Sequence, residues 1–290
     1  MRHAYSVAAV RAAERSLLTQ QNFDDELMRL AARGVAATAA SMLGSYRRVT
    51  ILAGPGGNGG DGLYAGAFLA EEGYSVVAIL AADAAHEPAL DAFATAGGTI
   101  AHDLGNADLL IDAVAGLAST RGLSGAPLKA YTEAKERGVP VLAVDIPSGI
   151  NADTGVAAAD AVEAEVTISF GWARAGHIFA PECGAVVLCD LRLPGAPRSF
   201  AEELSATAEP VGYIANEPTI ALPYRWPTKP VLSGEQGLVT APKPVGCTGP
   251  ILDPTPGAKS TKYTGGVTAV CAGSSAYPGA GILAATGAVR

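Results

Sequence analysis

Residues 49–62 read VTILAGPGGNGGDG, a short apolar run followed at once by a loop rich in glycine. Beyond the loop, Leu63, Ala67 and Phe68 recur at helical spacing. Glycines let backbone N–H groups approach a ligand that side chains would keep at a distance. The stretch therefore predicts a strand, a ligand-facing loop and a helix, in that order.

The same alternation of strand and helix continues along the chain. Its apolar runs are continuous and are separated by segments of helical length, which is typical of parallel strands covered on both faces. We predict an α/β fold, a Rossmann-like three-layer sandwich with a mostly parallel sheet. Two amphipathic helices are predicted within residues 1–45; further strands are predicted at 75–80, 109–111, 139–144, 166–170 and 185–191, and further helices from near Pro88 and over 128–137.

Prolines accumulate after Leu193 and the periodicity fades. We predict a first domain over residues 1–213 and an extended, semi-rigid linker over 214–245. Residues 246–290 are predicted to begin a second α/β domain, with a strand at 265–272 and the start of a helix at 282–290. These pieces cannot bury a core alone, so we expect the chain to end inside that domain.

Composition narrows the choice of partners and location. The net charge of −8 and a pI near 5.0 argue against nucleic acid. No apolar stretch reaches the ~20 residues of a membrane span and no signal peptide is evident, so we expect a soluble cytoplasmic protein without a membrane partner. The four cysteines show no CxxC spacing, which argues against a zinc site or a disulfide framework.

Polar groups follow three of the predicted strands. Asn58 lies in the glycine loop, Asp112 follows the strand at 109–111, and Asp145 follows the strand at 139–144. The carboxyl ends of parallel strands share one edge of the sheet, and open α/β folds bind ligands there. Three polar or acidic groups at that edge suit a cation, a proton transfer, or both. Capping of the next helix or turn is the alternative for each aspartate.

The residue types at this edge suit a hard monovalent cation. Asn58, Asp112 and Ser148 offer oxygen ligands, and the absence of nearby thiolate and imidazole argues against zinc. Arg121, in a loop flanked by glycine, can supply a permanent positive charge to a phosphate or a developing anion. A solvated loop arginine is the alternative.

The glycine loop also satisfies G-x-G-x-x-G at Gly54, Gly56 and Gly59, which would suggest a nicotinamide-dependent dehydrogenase. Pro55 in the turn and Asp61 beside the helix N-terminus argue against this interpretation, because a carboxylate would compete with a pyrophosphate for the same N–H groups. Helix capping is the alternative role for Asp61. His102 and His177 receive no predicted role, and no G-x-S-x-G motif indicates a serine hydrolase.

Three segments together resemble the NAD(P)HX epimerase family, the YjeF N-terminal domain: GPGGNGGDG at 54–62, DAVAG at 112–116 and VLAVDIPSGINADTG at 141–155. The resemblance covers roughly residues 1–213. It includes FGWARAGHIFAPECG at 170–184, where Arg174 stands in the family's lysine position. The family's Asn-Asn-Gly-Gly-Asp has Gly57 in place of the first asparagine, and its Thr-Gly-Leu-Ser-Arg loop is altered but keeps Arg121.

This resemblance implies interconversion of the R and S epimers of hydrated NADH and NADPH, NADHX and NADPHX. It implies potassium at Asn58, Asp112 and Ser148. We hypothesise that Asp145 is the acid/base and that Arg121 holds the phosphates. The resemblance implies substrate contacts from Gly57, Asn58, Gly59, Gly60, Asp61, Gly116, Leu117, Ala118, Ser119, Thr120, Arg121, Gly122 and Asp145.

Residues 262–280 resemble the start of the ADP- or ATP-dependent NAD(P)HX dehydratase domain. The resemblance implies dehydration of the S epimer in a longer protein, and it implies that this chain lacks that activity. A homo-oligomer is expected. The open alternatives are a nicotinamide-dependent dehydrogenase and a nucleotide-binding module without turnover.

Overall fold

The computed structural model describes residues 2–117, 120–214 and 224–247. Their strands are β1 (Arg2–Tyr5), β2 (Arg48–Ala53), β3 (Ser75–Leu80), β4 (Thr99–Ile100), β5 (Leu109–Ala113), β6 (Val141–Val144), β7 (Val166–Phe170), β8 (Ala173–Arg174), β9 (Ala185–Cys189), β10 (Leu191–Arg192), β11 (Gly212–Ile214), β12 (Leu238–Val239) and β13 (Lys243–Cys247). Their helices are α1 (Val7–Leu18), α2 (Glu26–Leu43), α3 (Gly57–Glu71), α4 (Glu87–Thr95), α5 (Gly125–Arg137), α6 (Gly176–Phe179) and α7 (Phe200–Thr207).

An eight-stranded sheet forms the centre, in the order β13-β9-β7-β6-β5-β2-β3-β4. Every neighbouring pair is parallel except β13 with β9. Successive residues of one strand enter different cores: Ile51 packs with the residues of α2 and α3, whereas Leu52 packs with Tyr131 and Ala134 of α5. Helices therefore cover both faces, which confirms the predicted α/β fold with a mostly parallel sheet.

The glycine loop is shorter than predicted, because α3 already begins at Gly57 with Gly56 as its N-cap. Asp61 lies inside the helix, so the alternative role of Asp61 as N-cap is wrong. Glycine is a poor helix former, but close packing decides here. A Cβ at Gly60 would lie 2.6 Å from the Met28 sulfur of α2, and one at Gly62 would lie 2.6 Å from the Ala113 Cβ of β5. The glycines let α3 sit close to α2 and to the sheet.

The first 45 residues contain the two predicted helices, α1 and α2, and one strand that the sequence did not predict. Strand β1 pairs in parallel with β8 and antiparallel with β11, forming a small second sheet. A strand of four residues is too short to show a clear periodicity. It joins the N-terminus to the segment that carries Arg174.

The structure differs from the predicted linker over 214–245 in its last part. Strand β12 pairs with β10, and β13 extends the central sheet as an antiparallel edge strand. Val239 and Val245 are buried in these pairings. Pro244 is tolerated because an edge strand leaves one side of its backbone unpaired. The strand predicted at 265–272 and the helix predicted at 282–290 lie outside the described residues.

Two further observations concern the described residues alone. None of their helices is both long enough and apolar enough to cross a membrane. Cys183 and Cys189 are buried free thiols, and burial raises the pKa of each to about 12. Both thiols are therefore uncharged at neutral pH.

Candidate active site

A cavity of about 720 Å³ opens at the carboxyl edge of β2, β5 and β6, which are adjacent and parallel in the sheet. This volume is typical of small-molecule sites. Helices α1, α2 and α3 and the segments after β5 and β6 enclose it. The predicted site residues among its lining are Gly57, Asn58, Asp61, Gly116, Leu117, Arg121, Gly122 and Asp145.

Three other predicted site residues, Gly59, Gly60 and Thr120, are not part of this lining. Gly59 and Gly60 are buried in the first turn of α3 and do not line the cavity, because they pack against Gly54 and Met28. Thr120 is exposed and outside the lining. Ala118 and Ser119 fall outside the described residues. The glycines of the loop thus serve packing as well as access to the cavity.

Asp112 and Ser148 are fully buried and bonded to each other. The Ser148 hydroxyl donates to Asp112 Oδ1 at 2.7 Å, and the Ser148 N–H donates to Oδ2 at 2.7 Å. The same hydroxyl accepts the Ala115 N–H at 3.0 Å. Burial raises the pKa of Asp112, while the N–H and O–H groups of Ser148 and the N–H of Val114 partly offset this rise. The groups that hold this carboxyl are thus neutral donors.

Asn58 lies against segment 114–116, which follows β5 and whose Ala115 N–H donates to the Ser148 hydroxyl. A Cβ at Gly116 would lie 3.3 Å from the Asn58 Cβ, so the two residues are in contact. The Nδ2 of Asn58 is buried and has no hydrogen-bond partner among the described residues. Segment 114–116 therefore links Asn58 to the bonded pair of Asp112 and Ser148. Their oxygen atoms are the ones that the sequence grouped as cation ligands.

Asp145 forms an ion pair that reaches the cavity from the end of β6. Its Oδ1 accepts from Arg174 Nη2 at 2.7 Å, with Arg174 almost wholly buried and 14% of the Asp145 side chain exposed. Asp145 has a φ of 67°, in the left-handed region that non-glycine residues rarely adopt. Burial raises the pKa of Asp145, and the charge and hydrogen bond of Arg174 partly offset the rise. The guanidinium thus favours the anionic carboxylate.

His177 contacts both members of this pair through their backbones. Its Nδ1 accepts the Arg174 N–H at 3.0 Å, so Nε2 carries the proton and donates to the Asp145 carbonyl at 2.8 Å. Burial and the nearby Arg174 charge lower the pKa of His177 to about 3. The sequence assigned His177 no role. The signal that could have found it is its place three residues after the basic residue of the segment at 170–184.

Further carboxyls line the cavity. Burial, followed by the negative charges of Asp145, Glu14 and Asp25, raises the pKa of Asp61 well above its ordinary value. Burial and Asp145 also raise the pKa of Glu14. The sequence missed Glu14 and Asp25 as site residues. They come from α1 and from the residue before α2, elements that a sequence pattern describes only as cover for the sheet.

Asp25 is held in place by a small polar network. Its Oδ2 accepts the Tyr64 hydroxyl at 2.9 Å, and its Oδ1 lies 3.5 Å from His86 Nε2. Arg29 stacks on the Tyr64 ring at 4.4 Å and donates to its oxygen. These contacts join the start of α2 to α3 and to the start of α4. They fix the acidic side of the cavity.

Comparisons with known proteins identify the family and the fold of this chain. Residues 24–176 match the family described as YjeF-related protein N-terminus. An NAD(P)H-hydrate epimerase of Microbacterium testaceum is 40% identical over 205 residues, which cover 66% of this chain and 78% of that protein. The crystal structure of yeast ynu0, YNL200c, superposes with a TM-score of 0.58 at 21% identity, over 72% of this chain and 96% of the other, and so supports the fold.

Longer relatives match over the whole chain. Bifunctional NAD(P)H-hydrate repair enzymes Nnr are 34% identical in Corynebacterium glutamicum and 36% identical in Mycobacterium tuberculosis. This chain spans 56% and 54% of their lengths, respectively. It therefore corresponds to about half of each of these proteins.

Proposed function

This chain belongs to the family described as YjeF-related protein N-terminus, and on that premise we propose that its cavity interconverts the R and S epimers of hydrated NADH and NADPH. The observation that carries the proposal is the Asp145 carboxylate, which lines the cavity and is paired with buried Arg174. The names of the relatives, NAD(P)H-hydrate epimerase and bifunctional NAD(P)H-hydrate repair enzyme, support the substrate class.

The reaction needs a group that moves a proton at one hydroxyl. The two epimers differ at the hydrated ring carbon, so conversion breaks and remakes a C–O bond, or opens and closes the ring, without redox change. If the C–O bond breaks, Asp145 as the acid gives a proton to the hydroxyl, which leaves as water, and as the base takes a proton back when water adds to the other face. If the ring opens, Asp145 takes the hydroxyl proton while the C–N electron pair goes to the ring nitrogen, and it returns the proton when the ring closes. Arg174 keeps the carboxylate in place, and Arg121, which also lines the cavity, holds the phosphates of the nucleotide.

Potassium fits the group formed by Asn58, Asp112 and Ser148. Asp112 is a buried carboxyl bonded to neutral donors, and a buried anion without a positive partner is costly. The Asn58 Nδ2 has no hydrogen-bond partner among the described residues, which leaves this donor for a bound group, and the Oδ1 of the same amide would be the ligand for the ion. A bound potassium ion would supply positive charge beside the nucleotide. All of these side-chain ligands are oxygens, as a hard cation requires.

Other parts of the prediction stay predictions. ADP- or ATP-dependent dehydration of the S epimer in a longer protein is one of them, because the segment whose resemblance implies it, 262–280, lies outside the described residues. Assembly as a homo-oligomer and location in the cytoplasm also stay predictions.

The test follows a single purified epimer of NADHX or NADPHX by chromatography, with the uncatalysed rate measured in parallel. We expect catalysed conversion in potassium buffer and a loss of about 100-fold or more in Asp145→Asn, in the range that acid/base groups contribute. Asp91→Asn is the matched control, because Asp91 is exposed on α4. An unchanged rate in Asp145→Asn would remove the proton-transfer role. Tight binding without conversion would favour a binding module, and hydride transfer from an alcohol would favour a dehydrogenase.

A further inference from the structure

The His177 ring bridges two backbone groups that belong to the two ends of one ion pair. It donates from Nε2 to the Asp145 carbonyl at 2.8 Å and accepts at Nδ1 from the Arg174 N–H at 3.0 Å. The side chains of the same two residues meet at 2.7 Å. His177, Asp145 and Arg174 are therefore each in contact with the other two at the end of β6.

Asp145 needs such support because its backbone conformation is unfavourable. Its φ of 67° is left-handed, a region that aspartate adopts more readily than most residues but still at a cost in free energy, which the surrounding contacts offset. On one side of the residue, the Asp145 N–H donates to the Ile168 carbonyl of β7 at 2.7 Å. On the other side, the carbonyl accepts from His177. The direction in which the carboxylate leaves the chain thus depends on both contacts.

The protonation state of His177 suits this bridge. Its pKa of about 3 keeps the ring neutral at the pH values where enzymes usually work. A neutral ring with Nε2 protonated offers one donor and one acceptor, which match the Asp145 carbonyl and the Arg174 N–H. A charged ring would carry a proton on Nδ1 and would lose the contact with Arg174.

Local packing brings His177 under the end of β6. The Gly176 N–H donates to the Ala152 carbonyl at 2.6 Å, and a Cβ at Gly176 would lie 2.8 Å from the backbone carbonyl oxygen of Asn151. Only glycine allows the short helix α6 to come so close to this segment. On the other side, β8 holds Arg174 by pairing with β1. His177 is 97% buried as a result, with 3% of its surface exposed.

We propose that His177 is a positioning residue, which fixes the left-handed backbone of Asp145 and so directs its carboxylate toward Arg174 and the cavity. This role rests on the proposed function where activity is the readout. His177 itself does not line the cavity and is not a catalytic residue.

Three substitutions at His177 separate its two hydrogen bonds. His177→Gln keeps a donor and an acceptor at a similar separation and should restore most of the function. His177→Asn keeps an acceptor near the Arg174 N–H but cannot reach the Asp145 carbonyl. His177→Leu removes both. His102→Gln is the matched control, because His102 is exposed.

We expect epimerisation kcat to fall at least about tenfold in the Asn and Leu variants with little change in KM, because a small displacement of a reacting group slows catalysis steeply. The acid limb of the pH profile should move to higher pH, because a carboxylate that is less well aligned with Arg174 holds its proton more tightly. The other charged groups that face Asp145, namely Asp61 of α3 and Glu14 of α1, are unchanged in all variants. His177→Gln and His102→Gln should keep the wild-type limb.

A second measurement does not depend on the reaction. Carbon-13 NMR of labelled aspartate carboxyls gives the pKa of Asp145 directly, and we expect it to rise in His177→Asn and to stay near the wild-type value in His177→Gln. If wild type converts no epimer but this rise is seen, the proposed function fails and the positioning role stands. If His177→Asn lowers thermal stability while the Asp145 pKa, kcat and acid limb all match wild type, the residue is only structural and the positioning role is overturned.

Discussion

Two neighbouring parallel strands, β5 and β6, each carry an aspartate at their carboxyl end, but the two carboxyls are stabilised in different ways. Asp112 is fully buried and accepts from Ser148 and Val114, which are neutral donors. Asp145 keeps 14% of its side chain exposed and is paired with the buried guanidinium of Arg174. Burial raises the pKa of both.

This difference distinguishes the two functions, cation binding and proton transfer, that the sequence predicted for the carboxyl edge of the sheet. Neutral donors hold the Asp112 carboxyl in one orientation but do not compensate its charge. A buried carboxylate of this kind is stabilised either by taking up a proton or by binding a cation. A guanidinium compensates the charge of Asp145 in advance, so this carboxylate is ready to accept a proton at the cavity. On the proposed function, the hydrogen-bonded Asp112 would serve as a cation ligand and the ion-paired Asp145 as a base.

The largest expected effect comes from breaking the ion pair. Arg174→Met leaves the Asp145 carboxylate without its cation, and removing one partner of a buried pair costs about 3–5 kcal/mol. The free energy of unfolding from urea titration measures this loss. Adding Asp145→Asn to Arg174→Met should recover part of the stability, because the double variant has no unpaired charge. Fully additive losses in the double variant would contradict the role of the pair.

The second expected effect is at Asp112. Ser148→Ala removes a hydroxyl that donates to Asp112 and accepts from the Ala115 N–H, and we expect a loss of about 1–3 kcal/mol. The loss should grow from pH 5 to pH 8, because the hydroxyl favours the charged form of Asp112. Ser41→Ala is the control, since the partner of the Ser41 hydroxyl among the described residues is the Ala37 carbonyl of its own helix. Equal losses in both variants at both pH values would contradict this account.

The sequence alone predicts at which edge of the sheet the site residues lie, because the direction of the strands determines that edge. Once the strands are parallel, Asn58, Asp112 and Asp145 must follow them at one side, and the structure places Asn58 and Asp145 in the lining of one cavity. Ser148 bonds to Asp112 because it lies four residues beyond Val144, the end of the neighbouring strand β6. These placements need only local pattern and topology.

The sequence could not predict contacts made by elements that are distant along the chain. Glu14 and Asp25 reach the cavity only after α1 and α2 have docked on the sheet. His177 meets Asp145 across 32 residues through a helix of four residues that shows no periodicity. The last part of the predicted linker joins the sheet at β13 because Val245 and its partners bury apolar surface, a gain that proline content conceals. Tertiary packing decides all of these.

The third expected effect tests the proposed binding of potassium at Asp112. Potassium at tenfold excess over its dissociation constant should stabilise wild type by about 1.4 kcal/mol, measured as a rise in Tm against a choline control. Protons compete with the ion for the Asp112 carboxylate, whose pKa is raised in the folded state. The potassium effect should therefore be present at pH 8 and should fade as the pH drops toward the pKa of Asp112. Asp112→Asn should lose it at every pH. A potassium effect that persists in Asp112→Asn would place the ion elsewhere.

The smallest expected effect concerns a third carboxyl, Asp61, which faces like charges instead of a guanidinium. Its folded pKa is well above the unfolded value of about 3.9, so the folded state retains a proton that the unfolded state releases. Stability from this group is present below the unfolded pKa and is lost as the pH rises toward the folded pKa. Asp61→Asn carries no such charge, so its Tm relative to wild type should rise between pH 4 and pH 8. Asp91→Asn should show no trend; if Asp61→Asn also shows none, burial and the negative charges of Asp145, Glu14 and Asp25 do not raise the Asp61 pKa.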